Sequence, residues 1–136
     1  MKWFKINGRE FNVKVLEIEE NFNILYSENT GRVAAVGAAL VLDPYGTFYG
    51  HTVTVGAKKG HEEELNELFD YISRPRFTGM TVSLPHGNGV ITYNAYVSNG
   101  RRKIKKIRED VLGNIEYTDY ETFSINFISM SAQVTQ

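Results

Sequence analysis

Apolar and polar residues alternate with a period of two over most of this chain, and that alternation constrains the fold more than any other feature. Phe11, Val13 and Val15 fall on one side of an extended segment, with Asn12 and Lys14 on the other. Met80, Val82 and Leu84 alternate with Thr81 and Ser83. Ile91, Tyr93, Ala95 and Val97 alternate with Thr92, Asn94 and Tyr96, and Phe123, Ile125 and Phe127 with Thr122, Ser124 and Asn126. Successive side chains of a strand point to opposite faces, so this pattern predicts antiparallel sheets with one buried face. The apolar phase slips after Val15, because Leu16, Ile18, Phe22 and Ile24 stand at even positions. One inserted residue near Val15-Leu16, a β-bulge, accounts for the slip.

Turn signals divide the extended segments. Asn7-Gly8 separates Trp3–Ile6 from Arg9–Val15, and Asn-Gly is the strongest short hairpin signal because both residues tolerate positive φ. Asp43-Pro44-Tyr45-Gly46 predicts a turn between strands Ala38–Leu42 and Thr47–Val55. Pro85-His86-Gly87-Asn88-Gly89 separates Met80–Leu84 from Val90–Val97, and Ser98-Asn99-Gly100 precedes a strand at Arg102–Arg108. Leu112-Gly113-Asn114 precedes a long segment, Ile115 to Met130, that is expected to bend or break. One segment changes period. Leu65, Leu68, Phe69 and Ile72 share a helical face, Glu62, Glu63 and Glu64 suit a helix N-terminus, and Arg74 and Arg76 suit its far end before or beyond Pro75. The spacing predicts a single helix at about 61–73. The whole, residues 1–136, reads as one β-sandwich or barrel-like antiparallel domain with an inserted helix.

Composition excludes several classes of function. Lys plus Arg number 15 against 16 Asp plus Glu, so the chain is not basic overall. With no cysteine it has no disulfide, thiolate metal site or cysteine nucleophile. Met1 to Lys5 lack the apolar stretch of a signal peptide, and no run approaches the ~20 apolar residues of a membrane span. The three histidines read as a half-buried strand residue (His51), a helix-entry residue (His61) and a turn residue (His86). Their spacings match no paired-ligand motif, so neither metal nor cofactor is expected. No nucleophile elbow or phosphate-binding glycine motif occurs. Glu109-Asp110 is expected to pair with the basic run before it, and Asp119 with Glu121 to form a solvated face.

That basic run, Arg101-Arg102-Lys103-Ile104-Lys105-Lys106-Ile107-Arg108, is the most distinctive charge feature, with six cations in eight residues. Three readings stand open for Arg101, Arg102, Lys103, Lys105, Lys106 and Arg108. They form a solvated edge, a charged contact across a subunit interface, or a contact with nucleic-acid phosphates. The near-neutral total charge and the lack of stacking aromatics inside the run place nucleic acid last. Trp3, Phe4, Tyr45, Phe48 and Tyr49 lie near turns or strand ends, where some suit a contact surface, although most aromatics are expected to pack in a sandwich core.

The segment Tyr26-Ser27-Glu28-Asn29-Thr30-Gly31-Arg32, followed by Gly37 and by Leu42-Asp43-Pro44-Tyr45-Gly46-Thr47, resembles small structural proteins of the tail modules of siphophages and Gram-positive prophages. In those chains a short strand with an Asn-Gly turn precedes a polar S-x-N-x-G-R loop, a D-P-x-G turn, a helix and a long β-hairpin region. Val33 stands where threonine usually follows Gly-Arg. The resemblance implies a tail-tube-like β-sandwich flanked by one helix, and a tail-tube, tail-tip or baseplate component without enzymatic activity. It implies self-association, commonly as a hexameric ring, and docking to other phage tail proteins. It places the chain in the virion tail after synthesis in the bacterial host cytoplasm. The polar loop, with Ser27, Asn29, Thr30, Gly31 and Arg32, is then the candidate subunit interface, and Arg32 suits bidentate pairing with a neighbouring carboxylate. A nucleic-acid-binding module using residues 101–108 is the alternative, and a small hydrolase or metal enzyme using His51 or His86 ranks third.

Overall fold

A computed structural model describes residues 1–26, 31–33, 39–42 and 44–135 of the chain. The chain begins with a small hairpin, β1 (Lys5–Ile6) and β2 (Arg9–Glu10), joined by Asn7-Gly8. Both turn residues adopt positive φ, 52° and 79°, as the Asn-Gly signal requires. Two long strands follow, β3 (Lys14–Tyr26) and β6 (Pro44–Gly56), and they pair antiparallel along their whole length. Between them lies a short hairpin, β4 (Gly31–Val33) and β5 (Ala39–Val41). The register of β3 against β6 shifts between Val15 and Glu17, where the slip in apolar phase predicted a bulge.

The helix α1 (Glu62–Ile72) buries Leu65, Leu68 and Ile72. Its three glutamates occupy the first turn. The backbone N–H groups of Glu62 itself and of Gly60 hold the Glu62 carboxyl below the usual carboxylate range. Arg76, beyond the last turn, donates to the Tyr71 carbonyl at 2.7 Å and lies over the Tyr71 ring, so it closes the helix end that the sequence assigned to a cation. β7 (Met80–His86) and β8 (Gly89–Tyr96) form the next hairpin, then β9 (Ile104–Glu109) with β10 (Ile115–Tyr120). β11 (Phe123–Ser129) and β12 (Val134–Thr135) complete the chain.

β11 is the corner of the fold. Its residues Phe123–Phe127 pair with β6, whereas Ile128 and Ser129 pair with β8. One strand thereby joins the β3-β6-β11-β12 layer to the β8-β7-β1-β2 layer, and the two inner faces close on each other. Phe4, Phe11, Val53, Val55, Val82, Leu84, Ile125 and Phe127 meet between them, and α1 covers the same core with Leu65 and Leu68. The outer faces are polar and stitched by side chains, with Thr54 bonded to Ser124 and Ser83 to Thr92. All the strand pairings among the described residues are antiparallel, and those residues are mainly β with one short helix, as the alternation predicts.

The structure departs from the sequence reading at several points. Pro44-Tyr45-Gly46 is the start of strand β6, not a turn; proline is tolerated there because it occupies the first strand position. Gly46 serves close approach, since a Cβ on it would lie 2.8 Å from the Ala132 Cβ on the segment leading to β12. The break expected within 115–130 does occur, at Glu121-Thr122, and puts β10 and β11 in different sheets. Asp110 does not pair with the basic run. Its Oδ1 accepts from the N–H groups of Leu112 and Asn114 and holds the β9–β10 turn. Of the aromatics near turns and strand ends, Phe4 packs in the core and Tyr45 is exposed. His51 is fully buried rather than half-buried.

Candidate functional site

Two ribbons leave the sandwich, and both carry apolar side chains into solvent. The first is the outer half of β3 and β6. The inner-face parity of β3 runs through Ile18, Glu20, Phe22 and Ile24, which stand opposite Val53, His51, Tyr49 and Thr47 of β6. Ile18 packs against the core, but Phe22 is 62% exposed and Ile24 is exposed as well. Sheet β8-β7-β1 ends before it reaches them, so the same face that buries Val53 stays open farther out. Tyr45 extends this uncovered face, while Leu25 and Tyr26, opposite Gly46 and Pro44, are exposed on the other face of the same ribbon. A run of large apolar groups at a strand end, where the core stops, marks an interaction surface.

The second ribbon is β9–β10. Among the described residues these two strands pair only with each other. Every residue of β9 is exposed, and so are Ile115 and Tyr117 of β10 and Val111 and Leu112 at the tip. An isolated two-stranded ribbon is marginal in water, so this one needs a covering surface to be firm. Its base is held by Arg102. The guanidinium lies between two rings, 4.1 Å from the centroid of Phe69 on α1 and 3.7 Å from that of Tyr120, and donates to Asn66 Oδ1 at 2.9 Å.

The six cations of the basic run therefore do different things. Arg102 is a structural anchor. Arg108 lies 3.7 Å from Glu116 across the ribbon and near the Tyr117 ring. Lys106 stands opposite Asp119. Arg101, Lys103 and Lys105, together with Arg102, line an open groove of about 1000 Å³ between the ribbon and the outer face of β11, which also has Asp119 and Glu121 on its wall. The run is interleaved with acid and is not a continuous cationic track. Of the proposed loop interface, Ser27, Asn29 and Thr30 lie outside the described residues. Gly31 and Arg32 belong to strand β4, paired with Val41 and Leu40, instead of an irregular loop.

A polar cluster, buried at His51 and Tyr93 and open to solvent at Glu20 and His86, sits where the first ribbon leaves the core. His51 Nε2 lies 3.1 Å from Glu20 Oε2 and 3.1 Å from the Pro85 carbonyl, two groups that can only accept, so Nε2 carries the proton. His51 Nδ1 then accepts the Tyr93 hydroxyl at 2.7 Å. Burial, and secondarily the Glu20 charge, pushes the Tyr93 phenol well above its ordinary range, so it remains a donor. Glu20 Oε2 also accepts from His86 Nδ1 at 2.6 Å, and the His86 ring meets Tyr49 edge-on at 4.9 Å. The cluster ties β3, β6, β7 and β8 together. Both nitrogens of His51 are occupied by protein, and no group of His, Asp and Glu suited to a metal ion occurs among the described residues. Sequence spacing did not reveal Glu20 or Tyr93, because Glu20 reaches His51 through the pairing of β3 with β6 and Tyr93 through the packing of one layer on the other.

No helix among the described residues is long and apolar enough to cross a membrane. The class these features define is a mainly antiparallel β protein with two projecting, partly apolar ribbons on a closed core. No protein-family model and no curated protein matches the chain.

Proposed function

We propose that this chain is a tail structural protein of a phage or prophage, a tail-tube, tail-tip or baseplate component with a tail-tube-like fold, that works by self-association and docking and not by turnover. The observation that carries the reading is the pair of ribbons. Phe22, Ile24 and Tyr45 on one, with Ile104, Ile107, Val111, Leu112 and Ile115 on the other, are left uncovered by the chain's own fold. Assembly gives these surfaces a use, because burial of apolar area is the main driving force of stable association. The resemblance of residues 26–47 to tail-module proteins gives the setting: the virion tail, reached after synthesis in the host cytoplasm.

Immunogold electron microscopy of particles from a strain carrying the gene tests the setting. Label along the tail or at its tip supports the reading; intact labelled lysates with no label on any tail contradict it. The nucleic-acid reading ranks lower, since Arg102, Lys106 and Arg108 have protein neighbours in place of phosphates. A steep salt dependence of DNA binding, lost in a K103E/K105E variant, would promote it.

A further inference from the structure

We infer that the free edge of β3 in one copy is the seat of the β9 edge of another copy, a contact that rests on the assembly reading and names its surfaces. β3 is 13 residues long, about 44 Å at the rise of an antiparallel strand, and among the described residues it pairs only with β6. Its other edge presents unpaired backbone donors and acceptors, a template for a further strand. β9 has the same deficit, since β10 is its only partner among the described residues.

Charge selects which edges meet. β3 carries Glu17, Glu19 and Glu20 against Lys14, all exposed. β9 carries Lys105, Lys106 and Arg108 against Glu109, with Arg101 and Lys103 leading into it. The other strand of the ribbon, β10, bears Glu116 and Asp119, so only the β9 edge is cationic. Two β3 edges repel each other, as do two β9 edges, whereas β3 and β9 attract. The favoured contact therefore joins unlike surfaces of identical chains. Such a contact leaves the β9 edge of one copy and the β3 edge of the other unused, and it propagates into a closed ring or an open helix. Pairing there also covers Leu16 on β3 and Ile104 and Ile107 on β9, all exposed in the single chain.

Charge exchange tests this directly, read as association by light scattering on the full chain. E17K/E19K and K103E/K105E variants each weaken association at least about tenfold. Their equimolar mixture recovers it, because the altered β3 of one variant then meets the altered β9 of the other. The sequence holds no cysteine, so mixing E19C with K105C copies under oxidation gives an unambiguous covalent dimer that neither variant forms alone. On the wild-type chain, raising salt weakens association, which needs no variant to fold. Association of wild-type strength in both charge variants overturns this docking while leaving self-assembly standing. A wild-type chain that never associates removes the assembly reading and this contact with it.

Discussion

Glu20 and His51 face each other directly across β3 and β6, with Oε2 3.1 Å from Nε2, at the point where the apolar core gives way to the projecting ribbon. His51 is the one polar or charged residue classed as buried among the described residues, and its ring joins the two layers through Tyr93. The pair therefore sets where the sandwich ends and holds the root of the ribbon to the core.

Replacing His51 tests that role. His51→Ala leaves a cavity and strands the Tyr93 hydroxyl without its acceptor, so it is expected to cost about 2–4 kcal/mol in urea unfolding. His51→Phe preserves volume but not the hydrogen bonds, and is expected to cost less, about 1–3 kcal/mol. Equal stability of wild type and His51→Ala would show that the cluster contributes nothing to the fold.

Tyr93 gives the fold an alkaline limit. Its phenol is held protonated in the native state beyond the ordinary tyrosine range, so the native state binds more protons than the unfolded chain above about pH 10. The contribution is complete below that pH and declines as pH rises through it. Tyr93→Phe is expected to be less stable at neutral pH by about 1 kcal/mol and to show a shallower loss of stability above pH 10. Urea melts at neutral pH and between pH 9 and 11 read both effects, and identical slopes for the two proteins would contradict the assignment.

Arg102 governs the second ribbon. Arg102→Ala removes a guanidinium clasped between Phe69 and Tyr120 and is expected to cost about 1–2 kcal/mol. Arg102→Lys recovers little, since a compact ammonium does not stack flat between two rings. Hydrogen exchange resolves the local effect. Amides of β9 and β10 are expected to lose protection first, with those of β6 and β11 unchanged. Unchanged exchange at 104–120 would show that the ribbon has another anchor.

Much of the fold was legible in local pattern. The Asn7-Gly8 turn, the bulge between Val15 and Glu17 and the apolar face of α1 each follow from a period or a turn preference acting within a few residues. Pro44-Tyr45-Gly46 misled because its turn chemistry is real but is overridden by pairing with Leu25 and Tyr26, residues far away in sequence. The cluster of Glu20, His51, Tyr93 and His86 was illegible for the same reason, being drawn from two strand pairings, β3–β6 and β7–β8, whose layers pack together. The six cations of residues 101–108 look alike in sequence, and only tertiary placement shows that Arg102 alone is clasped between two rings and bonded to Asn66. Exposure is likewise a property of the assembled sheets, which is why Phe22 reads as core by its alternation and is solvent-facing in the fold.

Sedimentation velocity of the purified chain over a wide concentration series tests the central claim most directly. An assembly component with two uncovered ribbons is predicted to show a mass that climbs with concentration through multiples of 15.5 kDa. A single species of 15.5 kDa, constant to the highest concentration reached, would contradict the account.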